Sequence, residues 1–169
     1  AFVMNTVYGY KLPKAMQREF ADVIQLISET EGGEVAPTRI MDAFRAEYLR
    51  VKGPYEFVSA RVEDDHADEE TRVTLVFKYN DREIVAEGRG SGPIDAVHMA
   101  IKKGVGAADV TILDYDEHAL SQGAHAKAAA YIQMKDNKTG RVTFGVGVSG
   151  NITRASIRGV FSALNRLAE

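Results

Sequence analysis

The sequence predicts an α+β fold of two pseudo-symmetric βββα units preceded by a small helical subdomain. Three observations lead there. Apolar residues recur at helical spacing up to Gly53-Pro54 and alternate beyond it. The order strand, strand, strand, helix then occurs twice. Finally, sliding the chain by 58 residues places Ser91 on Ser149, Gly92 on Gly150, Ile94 on Ile152 and Met99 on Ile157. This superposes a glycine-rich strand end and a helix start, as an internal repeat requires.

The elements follow in order. Pro13 suits a first helical turn, and Met16, Phe20, Val23, Ile24 and Ile27 then share one face until Gly32-Gly33 stops the helix. A second helix starts near Pro37 with Ile40, Met41, Phe44 and Tyr48 inward, and Gly53-Pro54 ends it. Two such helices bury little alone, so they must pack on each other or on a further surface. Phe57 to Val62 alternates as a strand. An acidic stretch from Glu63 to Glu70 follows, then Val73, Leu75 and Phe77, a turn at Asn80-Asp81, and a strand from Ile84 to Ala86. Pro93 opens a helix with Ala96, Val97, Ala100 and Ile101 inward. The second unit repeats this with strands at Val110 to Leu113, Ala128 to Met134 and Val142 to Val148. A turn lies at residues 137–140, and a final helix runs from about Asn151. The boundaries expected are 1–53 for the helical subdomain and 54–169 for the α+β domain, with units at about 55–105 and 106–169. One layered core is expected to join the units.

Composition narrows the function. The 169 residues carry a formal net charge of −3 with mixed signs, which leaves no electrostatic footprint for a nucleic acid and no polybasic stretch for a membrane. Cysteine is absent, so thiolate chemistry and disulfides are excluded, and a cytoplasmic location is expected. No apolar run approaches the roughly 20 residues of a spanning helix. The chain opens at Ala1 without an initial Met, which suggests part of a longer chain.

The motifs argue against catalysis. Gly145 to Gly150 matches G-x-G-x-x-G, but no further strand or ribose-binding acid follows, so these glycines read as close packing of a helix on a sheet. Gly88-Arg89-Gly90-Ser91-Gly92 lacks the Lys-Ser/Thr end of a phosphate loop. His66, His98, His118 and His125 show no helical zinc spacing and read as polar groups that fix loops. Asp64 to Glu70 lacks the Gly and terminal Glu of a calcium loop and reads as a solvated hairpin tip. Ser149 is no nucleophile elbow, because Asn151 stands where Gly is required. No catalytic residue and no metal ligand is assigned.

One stretch is unusual. Ala124, Ala126, Ala128, Ala129 and Ala130 cluster together, as a helix or loosely specified strand would allow. Their small side chains also leave room for a ligand or a symmetry mate. Beside Tyr115 and Ile94 they would form an apolar niche with glycine backbone, suited to a small aliphatic amino acid.

Leu12-Pro13-Lys14-Ala15-Met16-Gln17-Arg18-Glu19-Phe20 resembles the helix that follows the catalytic region of 2-isopropylmalate synthases. Residues 32–35 and 44–49 continue the resemblance. Gly90-Ser91-Gly92-Pro93-Ile94-Asp95-Ala96, residues 113–119 and 128–131, and Gly145-Val146-Gly147 through Ser156 carry it to the end of the chain. The resemblance implies the family's C-terminal helical subdomain and leucine-binding regulatory domain. The family joins acetyl-CoA to 2-oxoisovalerate in a metal-dependent TIM barrel. The HxH motif of that barrel is absent here, so the chain by itself should be inactive and cofactor-free, with the divalent metal in the missing barrel. The implied partners are L-leucine, a second copy in a homodimer, and the barrel. By position the leucine pocket would comprise Gly90, Gly92, Ile94, Asp95, Ile112, Tyr115, Ala119, Ala126, Ala128 and Ile152. Asp95 stands where a relative in the family has a small apolar residue, so its direction matters for the ligand. The alternative is a structural dimerisation module, with a degraded site or one for another branched-chain effector such as isoleucine.

Overall fold

The computed structural model describes residues 2–65, 67–106, 108–121 and 126–169. His66, Ala124 and His125, which figured in the motif readings, lie outside the described residues. The helical elements are α1 (Phe2–Tyr8), α2 (Lys14–Glu31) and α3 (Pro37–Phe44), the last running on into a π-helical turn at Arg45–Leu49. β1 (Tyr55–Asp65), β2 (Glu70–Tyr79), β3 (Arg82–Gly90) and α4 (Pro93–Gly104) form the first βββα unit. β4 (Val110–Ala119), β5 (Ala128–Asp136), β6 (Val142–Ser149) and α5 (Ile152–Leu167) form the second. Each unit holds one antiparallel three-stranded sheet in sequence order, as the repeat predicted.

Turn chemistry sets the register. Asn80 and Asp81 both adopt positive φ, the requirement of a two-residue hairpin between right-twisted strands. Gly32 at φ 76° ends α2, where a side chain would be strained. The strands exceed the sequence expectation at both edges. The acidic residues Glu63, Asp64 and Asp65 still pair with β2. β4 runs on through the polar segment to Ala119, beyond the strand expected at Val110 to Leu113. Among the described residues its outer edge carries no partner strand in the sheet, so the strand is half solvated and its alternation disappears under charged side chains.

One core joins the units. Val73, Leu75 and Phe77 of β2, Val97 and Ile101 of α4, Ile132 and Met134 of β5, and Ile157, Val160 and Phe161 of α5 are buried together. Glycines permit the close approach of helix to sheet. A Cβ at Gly88 would overlap Ala96 and Ala100 of α4, and one at Gly147 would overlap Ala155 and Gly159 of α5. The second glycine pair thus serves packing, as its failed nucleotide fingerprint suggested.

The helical segment packs on the opposite face of the second sheet. Met16, Phe20, Phe44 and Tyr48 share a core with Ala129, Tyr131, Phe144 and Val146. This sheet is therefore apolar on both faces, and its strand β5 reads as a continuous apolar run rather than an alternating one. The sequence reading missed α1, whose Met4 is fully buried against this same cluster.

Candidate ligand-binding site

A groove of about 820 Å³ opens where the first turns of α4 meet the inner face of β4 and the first turn of α5. Ile94 comes from α4, Ile112 from β4 and Ile152 from α5, so three elements each bring one branched side chain. β4 contains a bulge between Ile112 and Asp114. The bulge resets the alternation, so that Ile112, Tyr115 and Glu117 all face the groove while Leu113 turns out to solvent, 47% exposed.

The polar groups are ordered by one another. Ser156 donates its hydroxyl proton to the carbonyl of Ile152 at 3.0 Å. Its oxygen then accepts from the Tyr115 phenol at 3.2 Å. Asp95 accepts a hydrogen bond from the backbone N–H of Ser91 at 3.0 Å. The carboxylate thereby folds back over the turn that precedes α4, and a Cβ at Gly90 would strike it. Asp95 is thus engaged in fixing the turn, although it still borders the groove. The first-turn N–H groups of α4 have no partner within the helix and give this end of the groove positive character.

His98 lies one helical turn after Ile94. Burial, with Lys102 adding to it, pushes its imidazole below the usual histidine range, against the opposing effects of a hydrogen bond to the Val110 backbone and of Asp95. Its Nε2 is buried without a hydrogen-bond partner among the described residues. The ring is therefore neutral near pH 7, and it lines the groove.

Of the residues expected in the pocket, the groove brings together Gly92, Ile94, Asp95, Ile112, Tyr115 and Ile152. Gly90 stands behind Asp95. Ala119 and Ala128 pair with each other one step beyond Glu117 on the same face of the sheet, and Ala126 precedes β5. These three alanines do not line the groove. Ser91, His98, Thr111, Glu117, Thr153 and Ser156 do, and the sequence reading had not assigned them. The i, i+4 spacing of Ile94 to His98 and of Ile152 to Ser156 was the signal available for two of them.

Two polar networks tie the helical segment to this frame. His118 Nε2 accepts from the Lys11 N–H at 3.1 Å and from the Tyr131 phenol at 2.7 Å, so its proton sits on Nδ1 and is donated to the carbonyl of Ala119. At the C-terminal end of α5, Arg166 is buried between Glu19 and Glu47, at 3.3 and 3.2 Å. Its guanidinium also lies 4.3 Å from the centre of the Tyr48 ring. Tyr48 donates to Glu19 at 2.9 Å, and Thr143 donates to the same carboxylate. Burial and the Glu19 charge raise the Tyr48 phenol far above its ordinary value. Helix α5 thus touches the groove at one end and the helical segment at the other.

Among the described residues no three His, Asp or Glu side chains come together to hold a metal ion. No helix there is long and apolar enough to cross a membrane.

Comparison with known proteins places this geometry. The family model of the LeuA allosteric (dimerisation) domain matches residues 34–168. The chain is 39% identical over 168 residues to a 2-isopropylmalate synthase of Corynebacterium glutamicum, covering 98% of this chain and 26% of that protein. A 2-isopropylmalate synthase of Mycobacterium leprae is 40% identical over 167 residues, covering 98% and 27%. One of Ralstonia nicotianae is 39% identical over 168 residues, covering 99% and 29%. The chain spans between a quarter and a third of the length of these relatives. It belongs to the LeuA allosteric (dimerisation) domain family, in the form that 2-isopropylmalate synthases carry as their regulatory part.

Proposed function

We propose that this domain senses L-leucine for feedback control of a 2-isopropylmalate synthase, and that the groove between α4, β4 and α5 is where the amino acid binds. The observation that carries this reading is the convergence of Ile94, Ile112 and Ile152 on a space bounded at one end by the first turn of α4 and at the rim by the Glu117 carboxylate. The isobutyl group is buried among the isoleucines, which is worth roughly 1.5–3 kcal/mol. The ligand carboxylate meets the α4 N-terminus, where the dipole favours an anion. Its ammonium group meets Glu117.

Residues 1–53 then form the connecting subdomain and residues 54–169 the regulatory domain. The chain forms a symmetric homodimer and, without the barrel, releases no CoA from acetyl-CoA and 2-oxoisovalerate. Light scattering and a thiol-release assay check these two points.

Calorimetric titration with L-leucine tests the sensing role, using the parent chain and an Ile94→Trp variant that fills the groove. Saturable binding by the parent and at least a roughly tenfold loss in the variant is the expected result, since one blocked side-chain subsite is worth about 1.4 kcal/mol or more. Binding of isoleucine but not leucine reassigns the effector. Absence of binding by either leaves a structural dimerisation module.

A further inference from the structure

The pseudo-twofold repeat places a second groove opposite the first. It measures about 880 Å³ and lies between the inner face of β1 and the helix α5. β1 bulges between Phe57 and Ser59, the same place in the strand as the bulge of β4 between Ile112 and Asp114. The bulged residues Val58 and Leu113 are both 47% exposed. The repeat therefore sets Phe57, Ala60 and Val62 where the first groove has Ile112, Tyr115 and Glu117. Along the helix, Thr153 takes the place of Asp95.

These exchanges change the chemistry. Ala60 for Tyr115 removes a ring and opens the space. Val62 for Glu117 and Thr153 for Asp95 remove both carboxylates. Two arginines enter instead. Arg158 is fixed by donating to the carbonyl of Val148 at 2.8 Å. Arg154 is exposed, and its guanidinium forms no ion pair with any described residue. Among the described residues, the one carboxylate bordering the groove is that of Glu56. Glu56 adjoins Tyr55, which is hydrogen-bonded to Asn165 and hence sits about 16 Å along α5 from Arg154, at 1.5 Å per residue. An ammonium group next to Arg154 would find repulsion and no acid, whereas a carboxylate there gains charge-assisted hydrogen bonds.

We propose that the groove between β1 and α5 is a second ligand site, which takes a branched aliphatic carboxylate lacking an α-ammonium group. The carboxylate pairs with Arg154 and Arg158, and the aliphatic body lies on Phe57, Ala60 and Ile157. The site rests on the shape of the first groove and not on its occupant, so it stands whether or not leucine binds there.

The test is calorimetry and amide NMR with α-ketoisocaproate, which has leucine's carbon skeleton with a keto group in place of the amine. The keto acid is expected to bind the parent chain and to shift amides of residues 57–62 and 154–158. Excess leucine should leave that binding unchanged. Arg154→Glu, at an exposed position, should weaken it by roughly tenfold or more, because a charge-assisted bond becomes a repulsion. Ala60→Tyr, which restores the ring of the first groove, should also weaken it, while Ile94→Trp should not. No binding of the keto acid overturns the proposal. So does binding that Ile94→Trp abolishes and Arg154→Glu leaves intact. Loss of leucine binding alone bears only on the first groove.

Discussion

Tyr115 on β4 reaches across to Ser156 on α5, phenol to hydroxyl at 3.2 Å, and this contact joins the half-solvated edge strand to the helix that spans the second unit. Ser156 spends its own proton on the Ile152 carbonyl, so Tyr115 is the donor. Tyr115→Phe removes one hydrogen bond at a partly exposed position and is expected to cost about 1 kcal/mol of stability. Urea unfolding measures that cost. If the sensing reading holds, leucine affinity falls with it, because the wall of the groove loosens. An unchanged midpoint and unchanged affinity would show that the contact is idle.

Two glycines give opposite expectations. At Gly147 a Cβ would overlap the backbone of Ala155 and Gly159, so Gly147→Ala forces α5 off its sheet. A cost of about 3 kcal/mol or more is expected from such overpacking. At Gly92 a Cβ would meet nothing within 4 Å, and φ of −166° is open to any residue. Gly92→Ala should leave the melting temperature within about 2 °C of the parent, in keeping with a change of well under 1 kcal/mol. Thermal melts of the two variants side by side decide whether the close approach, or glycine itself, matters.

Arg166 and Glu19 hold the helical segment on the second unit. Glu19→Ala leaves a buried guanidinium with Glu47 as its remaining acid and deprives Tyr48 of its acceptor. Breaking one side of a buried pair costs about 3 kcal/mol. The loss should be local before it is global. Hydrogen exchange should show α2 and the π-helical turn losing protection while β2 and α4 keep theirs. Uniform loss of protection would mean that the two cores unfold as one.

His98 sets a pH dependence. Its folded-state proton affinity is lowered, chiefly by burial, while an unfolded histidine titrates near about 6.5. Below that pH the unfolded chain gains a proton that the folded chain resists, so stability falls as pH drops from about 6.5 until the folded ring also protonates. His98→Gln should flatten this part of the slope. Denaturant midpoints taken between about pH 7.5 and 5 measure it. An identical slope in parent and variant would assign the effect to other groups.

Much of the fold was legible along the chain. Turn residues have local causes: Asn80-Asp81, Gly32 and Gly140 each adopt the left-handed backbone that their types favour. The βββα order and its repetition followed from changes in apolar period, which reflect which face of each element is dry. The glycines of β6 were legible as packing, because a dinucleotide turn needs further parts that the sequence does not show.

The candidate groove was legible by half. Gly92, Ile94, Asp95, Ile112, Tyr115 and Ile152 were named from the resemblance, and three elements bring them together. The alanine stretch stands apart, since small residues at 119 and 128 pair with each other beyond the end of the groove. A bulge decides which β4 side chains turn inward, and a bulge of one residue inside a polar edge strand leaves no periodic trace. The direction of Asp95, the partner of Tyr115 and the solitary Nε2 of His98 depend on contacts between elements distant in sequence. Local residue types specified the elements of this protein, because turns and faces are local physics. Only the packing of α5 against both units decided where its grooves open and what lines them, since that depends on which faces remain after the core has closed.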